Sequence, residues 1–288
     1  MDTANRSQLS LGTAFLRSLA VGLVYAIASA LAAAILGPLS RLAPTLDNVV
    51  VWFIAGVLVA LALAPFISYS AWSRTQTILA AWAVLGFVRS LGLGIEGSLF
   101  KPTQTLAAIL GALLGILVSL LVAWCCTLMF FPRVPPSEAV PATPWNWWSW
   151  TWRVLLVGLA YFVFYFVFGA TNALLYTKSF YENNPQYGLS LPPTATIFLA
   201  QLVRGPLFGL GSLFIVRSVA GPRRGLAVWL GLLLFVVGGL APYLETTFRT
   251  MPLGFNLATL VEIFLQNFLT GLVAARLFVP RLPASEAR

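Results

Sequence analysis

Eight stretches of roughly twenty or more residues carry almost no charge, and they fix the solvent in which this chain can fold. They cover about 14–37, 48–70, 76–95, 104–131, 151–176, 194–219, 225–244 and 256–279. A helix needs roughly 20 apolar residues to cross the hydrocarbon of a bilayer. Inside that layer each backbone polar group must be bonded by the protein itself, which only helices and closed barrels achieve. Clusters such as Gly37-Pro38, Pro135-Pro136, Pro192-Pro193 and Gly221-Pro222 punctuate the stretches. Only 9% of the residues are charged and 59% are hydrophobic, against about 25% charged in soluble domains. A water-soluble globule and a disordered chain are both excluded. The reading is an all-α integral membrane protein of eight transmembrane helices.

The residue inventory removes several chemistries. The sequence has no histidine, so His-based acid–base catalysis, His-ligated haem and most zinc sites are absent. Its two cysteines, Cys125 and Cys126, are adjacent in an apolar stretch. They supply neither a disulfide framework nor a metal site; they read as small packing residues, with palmitoylation as the second reading. No P-loop, dinucleotide fingerprint or Gly-x-Ser-x-Gly elbow occurs. Glu245-Thr-Thr-Phe-Arg249 has the spacing of part of the motif of CAAX-type intramembrane proteases. Leu244 stands where a second glutamate is needed and no histidine exists, so that activity is not carried over. No cofactor is expected.

The net charge of +9 is explained by membrane orientation rather than by nucleic acid. With eight spans both termini fall on one side. That side holds Arg6, Arg17, Arg74, Arg133, Arg153, Arg217, Arg223, Arg224, Arg276, Arg281 and Arg288; the other holds Arg41, Lys101, Lys178 and Arg249. Cytoplasmic loops are enriched in Lys and Arg, which places both termini in the cytoplasm, with the plasma membrane as the expected location. Trp145, Trp147, Trp148, Trp150 and Trp152 then form an interfacial belt where the chain re-enters the bilayer. The first span is too long for the apolar core of a signal peptide and is read as retained.

The chain reads as a duplication, 1–139 and 140–288. Phe131-Pro-Arg-Val-Pro-Pro-Ser-Glu-Ala139 matches Val279-Pro-Arg-Leu-Pro-Ala-Ser-Glu-Ala287. Arg17, Val21-Gly22-Leu23 and Tyr25 match Arg153, Val157-Gly158-Leu159 and Tyr161 at an offset of 136. Pro44-Thr45, Arg74 and Glu96 match Pro193-Thr194, Arg223 and Glu245 at 149. The change of offset places an insertion in the loop 177–193. Four spans per copy make the two copies parallel, related by a pseudo-two-fold axis along the membrane normal. Gly111-x-x-x-Gly115 and Gly205-x-x-x-Gly209 offer small faces for close helix approach.

Charge inside a span is costly, about 2.5–3.5 kcal/mol for a central arginine, so each such group needs a partner. Arg204 sits in Gln201-Leu-Val-Arg204-Gly205-Pro206, where proline removes a backbone donor and predicts a kinked or broken helix. Arg89 precedes Glu96 by seven residues, on one helix face. Glu262, Gln266 and Asn267 lie in the last span. The candidate substrate-binding residues are therefore Arg204, Glu262, Gln201, Gln266, Asn267, Arg89, Glu96 and Glu245, with Glu262 expected to pair with Arg204. Arg17 and Arg153 are expected to snorkel to headgroups.

These features suggest a transporter-like permease for a small polar or amphipathic solute, lipid included. A non-catalytic membrane subunit of a larger complex is the alternative, with the aromatic run Tyr161–Phe168 facing its partner. An intramembrane lipid-acting enzyme is the third reading. The partners expected are the bilayer, a solute or lipid, and other membrane proteins; nucleic acid is not among them.

Overall fold

The computed structural model describes residues 11–40, 45–100, 105–132, 146–187, 191–219 and 225–279. Among the described residues, eight helices are long and apolar enough to cross a membrane. They are α1 Leu11–Ser40, α2 Leu46–Ser68, α3 Arg74–Leu99, α4 Thr105–Phe130, α5 Trp147–Asn183, α6 Thr194–Ser218, α7 Leu226–Thr246 and α8 Leu253–Phe278. No strand occurs among the described residues. The protein is a multi-pass helical membrane protein. Each expected span is present within a few residues, except that α5 runs on to Asn183. The closing repeat beyond Pro132 and Val279, the Pro-rich linkers, Trp145, Arg6, Arg41, Lys101, Arg133, Arg223, Arg224, Arg281 and Arg288 lie outside the described residues.

Helix starts follow local chemistry. Thr45 accepts from the Asn48 amide ahead of α2, and Asn146 from the Ser149 amide ahead of α5. Ser73 and Gln76 form a reciprocal capping box at α3. Gly225, at φ 85°, provides the left-handed turn before α7.

Among the described residues three π-helical turns interrupt the spans, at Leu85–Leu91 in α3, Ala173–Thr177 in α5 and Val236–Leu240 in α7. None was expected from the sequence. Conversely, the break expected at Gly205-Pro206 does not occur: α6 is continuous through Pro206. The physical reason is packing. A Cβ on Gly158 would lie 2.8 Å from the Pro206 nitrogen, and one on Gly205 would strike the Gly158 backbone. The α5 backbone thus lies directly against the proline turn and splints it.

The order of packing is the same at the two ends of the chain. α1 packs on α2 and α4, and α3 on α4; α5 packs on α6 and α8, and α7 on α8. The two sets meet where α3 packs on α6 and α2 on α7. At that junction Ser70 and Val219 form an antiparallel bridge, and the Ala71 amide donates to the Ser218 carbonyl at 2.7 Å. α2, α3, α6 and α7 are at least half buried, whereas α1, α4, α5 and α8 are a third or less. The outer helices expose leucine and isoleucine at four-residue intervals, as at Leu23, Ile27, Leu31 and Ile35 of α1.

Lipid tails are as apolar as leucine, so burial of apolar area cannot drive such helices together; close packing of small residues does. Gly22 meets Gly56 between α1 and α2, Gly158 meets Gly205 between α5 and α6, and Gly231 meets Gly271 between α7 and α8. Gly209 likewise abuts the Val154 carbonyl. Gly111 makes only an ordinary contact with Leu36. Cys126 and Cys125 are buried in the same core, which favours packing over palmitoylation.

Candidate functional site

The polar residues singled out in the sequence do not form one site. They separate into two ion-paired clusters and a third centre around Glu262.

The first cluster joins α1, α3 and α7. Arg89, on the π turn of α3, donates from Nη2 to Glu245 Oε2 at 2.5 Å and to Tyr25 Oη. Tyr25 in turn donates to Glu245 Oε1 at 2.8 Å, and its ring lies 4.8 Å beneath the guanidinium. The Arg89 and Glu245 side chains are only 8% and 10% exposed. Arg89 and Glu96 therefore do not act together, as their spacing suggested. The π turn adds a residue to the helical repeat between them, and each reaches a different neighbour.

The second cluster joins α3, α5 and α6. Arg204 Nη2 meets Glu96 Oε2 at 2.9 Å, with side chains 3% and 36% exposed. Its Nη1 donates to Gln201 Oε1 at 3.3 Å, and the guanidinium stands 5.7 Å from the Tyr161 ring centre. Tyr161 Oη, Gln201 Nε2 and Arg204 Nε are buried and have no hydrogen-bond partner in the protein. In a low-dielectric interior such orphaned groups are costly and point to a polar ligand or water.

The third centre is Glu262 on α8. The expected pairing with Arg204 is not found, because Glu96 already holds that guanidinium. Glu262 Oε2 instead accepts from Asn172 Nδ2 of α5 at 2.6 Å. Its Oε1 faces Gly169, where a Cβ would lie 3.1 Å from that oxygen and 4.0 Å from Tyr165 Cε1. Gln266 follows one turn later on the same helix face, and its Oε1 is unpartnered. Asn267 is turned away, against Gly239 of α7, and neither of its amide atoms has a partner.

The carboxylates can be tallied among the described residues. Asp47 pairs with Arg249, Glu96 with Arg204, Glu182 with Lys178 and Glu245 with Arg89, all within 4.0 Å. Glu262 alone has no basic partner at that distance. Arg249 and Glu245 serve separate pairs, which also separates the ends of the protease-like pentapeptide. Arg17 is not simply extended towards headgroups; it donates to the Met129 carbonyl at 2.7 Å. Arg153 stacks beside Trp150 and Trp152. Trp150 itself is buried against Phe278, whereas Trp147 and Trp148 stay exposed. Part of the aromatic run Tyr161–Phe168 is used internally, Tyr161 stacking on Phe208 and Phe162 meeting Phe198 edge to face.

Sequence reasoning missed Tyr25, Tyr161, Tyr165, Gly169 and Asn172. Tyr25 and Tyr161 were visible as matched residues, and that match was the available signal for a shared role. Asn172, an amide inside an apolar span, was a second signal. An apolar cavity of about 520 Å³ lies elsewhere, along α3 between Trp72, Trp82, Phe87 and Phe214, and touches none of these groups. Among the described residues no group of three metal-ligating side chains occurs. The chain matches no known protein family, no curated protein and no solved structure.

Proposed function

We propose that the chain is a transporter-like permease of the plasma membrane for a small polar or amphipathic solute. It is built as two parallel four-helix halves, 1–139 and 140–288, with both termini cytoplasmic. Support for the two halves comes from matched residues meeting one another. Ser70 and Val219, which bridge the junction, stand at the same 149-residue offset as Glu96 and Glu245. The contacts Gly22–Gly56 and Gly158–Gly205 recur at the offsets of their own helices. The Arg89–Glu245 and Arg204–Glu96 pairs both cross from one half to the other.

The observation that carries the functional reading is the solitary carboxylate of Glu262. An ion pair that only fastened the bundle would have both members present. A carboxylate at membrane depth with one amide donor and no cation is an expense that structure alone does not repay. Tyr161 lies within electrostatic reach of it, and its hydroxyl, Gln201 Nε2 and Arg204 Nε are buried donors without a partner. Together these groups make a polar site between α5, α6 and α8 for a solute that brings the missing charge and acceptors. Glu262, Asn172, Arg204, Gln201, Glu96 and Gln266 form the binding set. Arg89, Glu245 and Tyr25 hold the halves together, and Asn267 lies outside the set.

Charge movement and tracer uptake by the purified protein in liposomes test this, with pulses of amines, amino acids and sugars. A flux that Glu262→Gln removes, and that a folded Arg204→Leu protein weakens, supports the reading. Absence of flux for every class, together with a stoichiometric partner in the complex extracted by mild detergent, replaces it with the membrane-subunit reading.

A further inference from the structure

We infer that Glu262 is the anchor of a site for a small organic ammonium ion. The inference rests on the permease reading only for the fate of the ligand, not for its binding. Arg204 and Glu96 neutralise each other, so an ionised Glu262 leaves a net charge of −1 on this group of residues. Its neutralising ligand must be a metal cation, a proton or an organic cation.

The donor set decides between a metal and an organic cation, and a site that takes only a proton shows no saturable benzylammonium binding in the titration below. A hard metal ion takes six or more oxygens at close range. Here one oxygen of Glu262 is occupied by an N–H of Asn172, and an amide N–H cannot ligate a cation. What remains is Oε1, facing Gly169 and the edge of the Tyr165 ring. Tyr165 and Tyr181 both lie within electrostatic reach of the carboxylate. Tyr181 packs on Phe255 of α8 at 6.0 Å between ring centres. Even with the unpartnered Gln266 Oε1 one turn away, two oxygens beside tyrosine rings are poor coordination for a hard metal ion. The site suits a substituted ammonium, which donates a charge-assisted hydrogen bond to Oε1 and sets its apolar substituent against the ring edge. Gly169 keeps the approach to Oε1 open, since a Cβ there would stand 3.1 Å from that oxygen.

The neighbouring cluster completes the description of the ligand. Tyr165 is also within electrostatic reach of Arg204, and its ring centre is 6.3 Å from that of Tyr161. The free donors Tyr161 Oη, Gln201 Nε2 and Arg204 Nε therefore lie one aromatic residue away from Glu262. They favour an ammonium compound that also carries a hydrogen-bond acceptor.

The experiment is calorimetric titration of the full chain in a non-ionic detergent with benzylammonium chloride. Benzyl alcohol is the neutral near-isostere and sodium chloride the control for ionic strength. Saturable binding of benzylammonium alone is expected, with Glu262→Gln lowering affinity at least tenfold. Gly169→Ala, which keeps the carboxylate but crowds Oε1, is expected to weaken binding and covers the case of a poorly folded Glu262 variant. Equal binding of benzyl alcohol, or no saturable binding by a folded wild-type protein, overturns the inference. So does unchanged affinity in folded Glu262→Gln. Flux of another solute class with no ammonium binding overturns the inference and leaves the permease standing. Glu262-dependent ammonium binding with no flux of any solute does the reverse.

Discussion

The buried pair between Arg89 and Glu245 provides the most quantitative test of this architecture. Both side chains are about nine-tenths buried, and Tyr25 closes the triangle by bonding to each. Arg89→Met leaves an uncompensated carboxylate that keeps only the Tyr25 hydroxyl; Glu245→Gln leaves an uncompensated guanidinium. Each is expected to cost about 3–5 kcal/mol, the usual cost of stranding one buried charge. The double variant strands neither, so its cost falls short of the sum by about 2–3 kcal/mol. The Arg204–Glu96 pair is the internal comparison. Glu96 is 36% exposed, water screens the interaction, and the coupling falls to about 1 kcal/mol and drops with salt. Steric-trapping measurements of unfolding in bicelles read both cycles. Additive costs at Arg89 and Glu245, or coupling at Arg204 and Glu96 of equal size, would refute the ranking and with it the assignment of the first pair as the main clasp.

Other outcomes follow from single contacts. Gly205→Ala forces a methyl onto the Gly158 backbone and is expected to cost about 1–3 kcal/mol, whereas Gly12→Ala, with nothing within 4 Å, is neutral in the same unfolding assay. Asn256→Ala removes an acceptor for Tyr243 Oη and donors to the Phe248 and Met251 carbonyls; a loss of about 2–3 kcal/mol is expected, with protease nicking between α7 and α8 as the local readout. Arg249→Ala breaks an exposed pair with Asp47 and is expected to change stability by less than about 1 kcal/mol. Cys125 and Cys126 are buried and should react with a maleimide only once the protein is unfolded.

The spans were legible in the sequence because bilayer thickness sets their length and charge is excluded from their interior. The choice of partner was not. Spacing identifies the face of a helix a residue occupies, so Arg89 and Glu96 looked like neighbours and Arg204 and Glu262 like a pair. Which neighbouring helix lies against that face is a tertiary fact. A π turn, unmarked in the residues 85–91 that form it, shifts the face as well. Pro206 illustrates the opposite error. Its local preference for a break was read correctly, and the Gly158 backbone against it overrides that preference.

The proposed pairing of the two halves, obeyed by two members of each cluster and broken by the third, also bears on how many ligands the proposed site takes. In the proposed halves Tyr25 corresponds to Tyr161 and Glu245 to Glu96, and each tyrosine faces the arginine held by the glutamate of the opposite half. The arginines do not correspond. At the 149-residue offset Arg89 falls on Gly238 and Arg204 on Ala55. Neither position can house a guanidinium: a Cβ at 238 would already be 2.8 Å from Phe208, and Ala55 is fully buried. Each half must therefore supply its cation from a different helix, Arg89 from α3 and Arg204 from α6. Glu262 breaks the pairing of the halves further, since its counterpart at the same offset is Leu113, an exposed residue of α4. Among the described residues the carboxylate without a basic partner occurs once, and the titration with benzylammonium should saturate at one equivalent per chain; two equivalents would mean that Glu262 does not set the site.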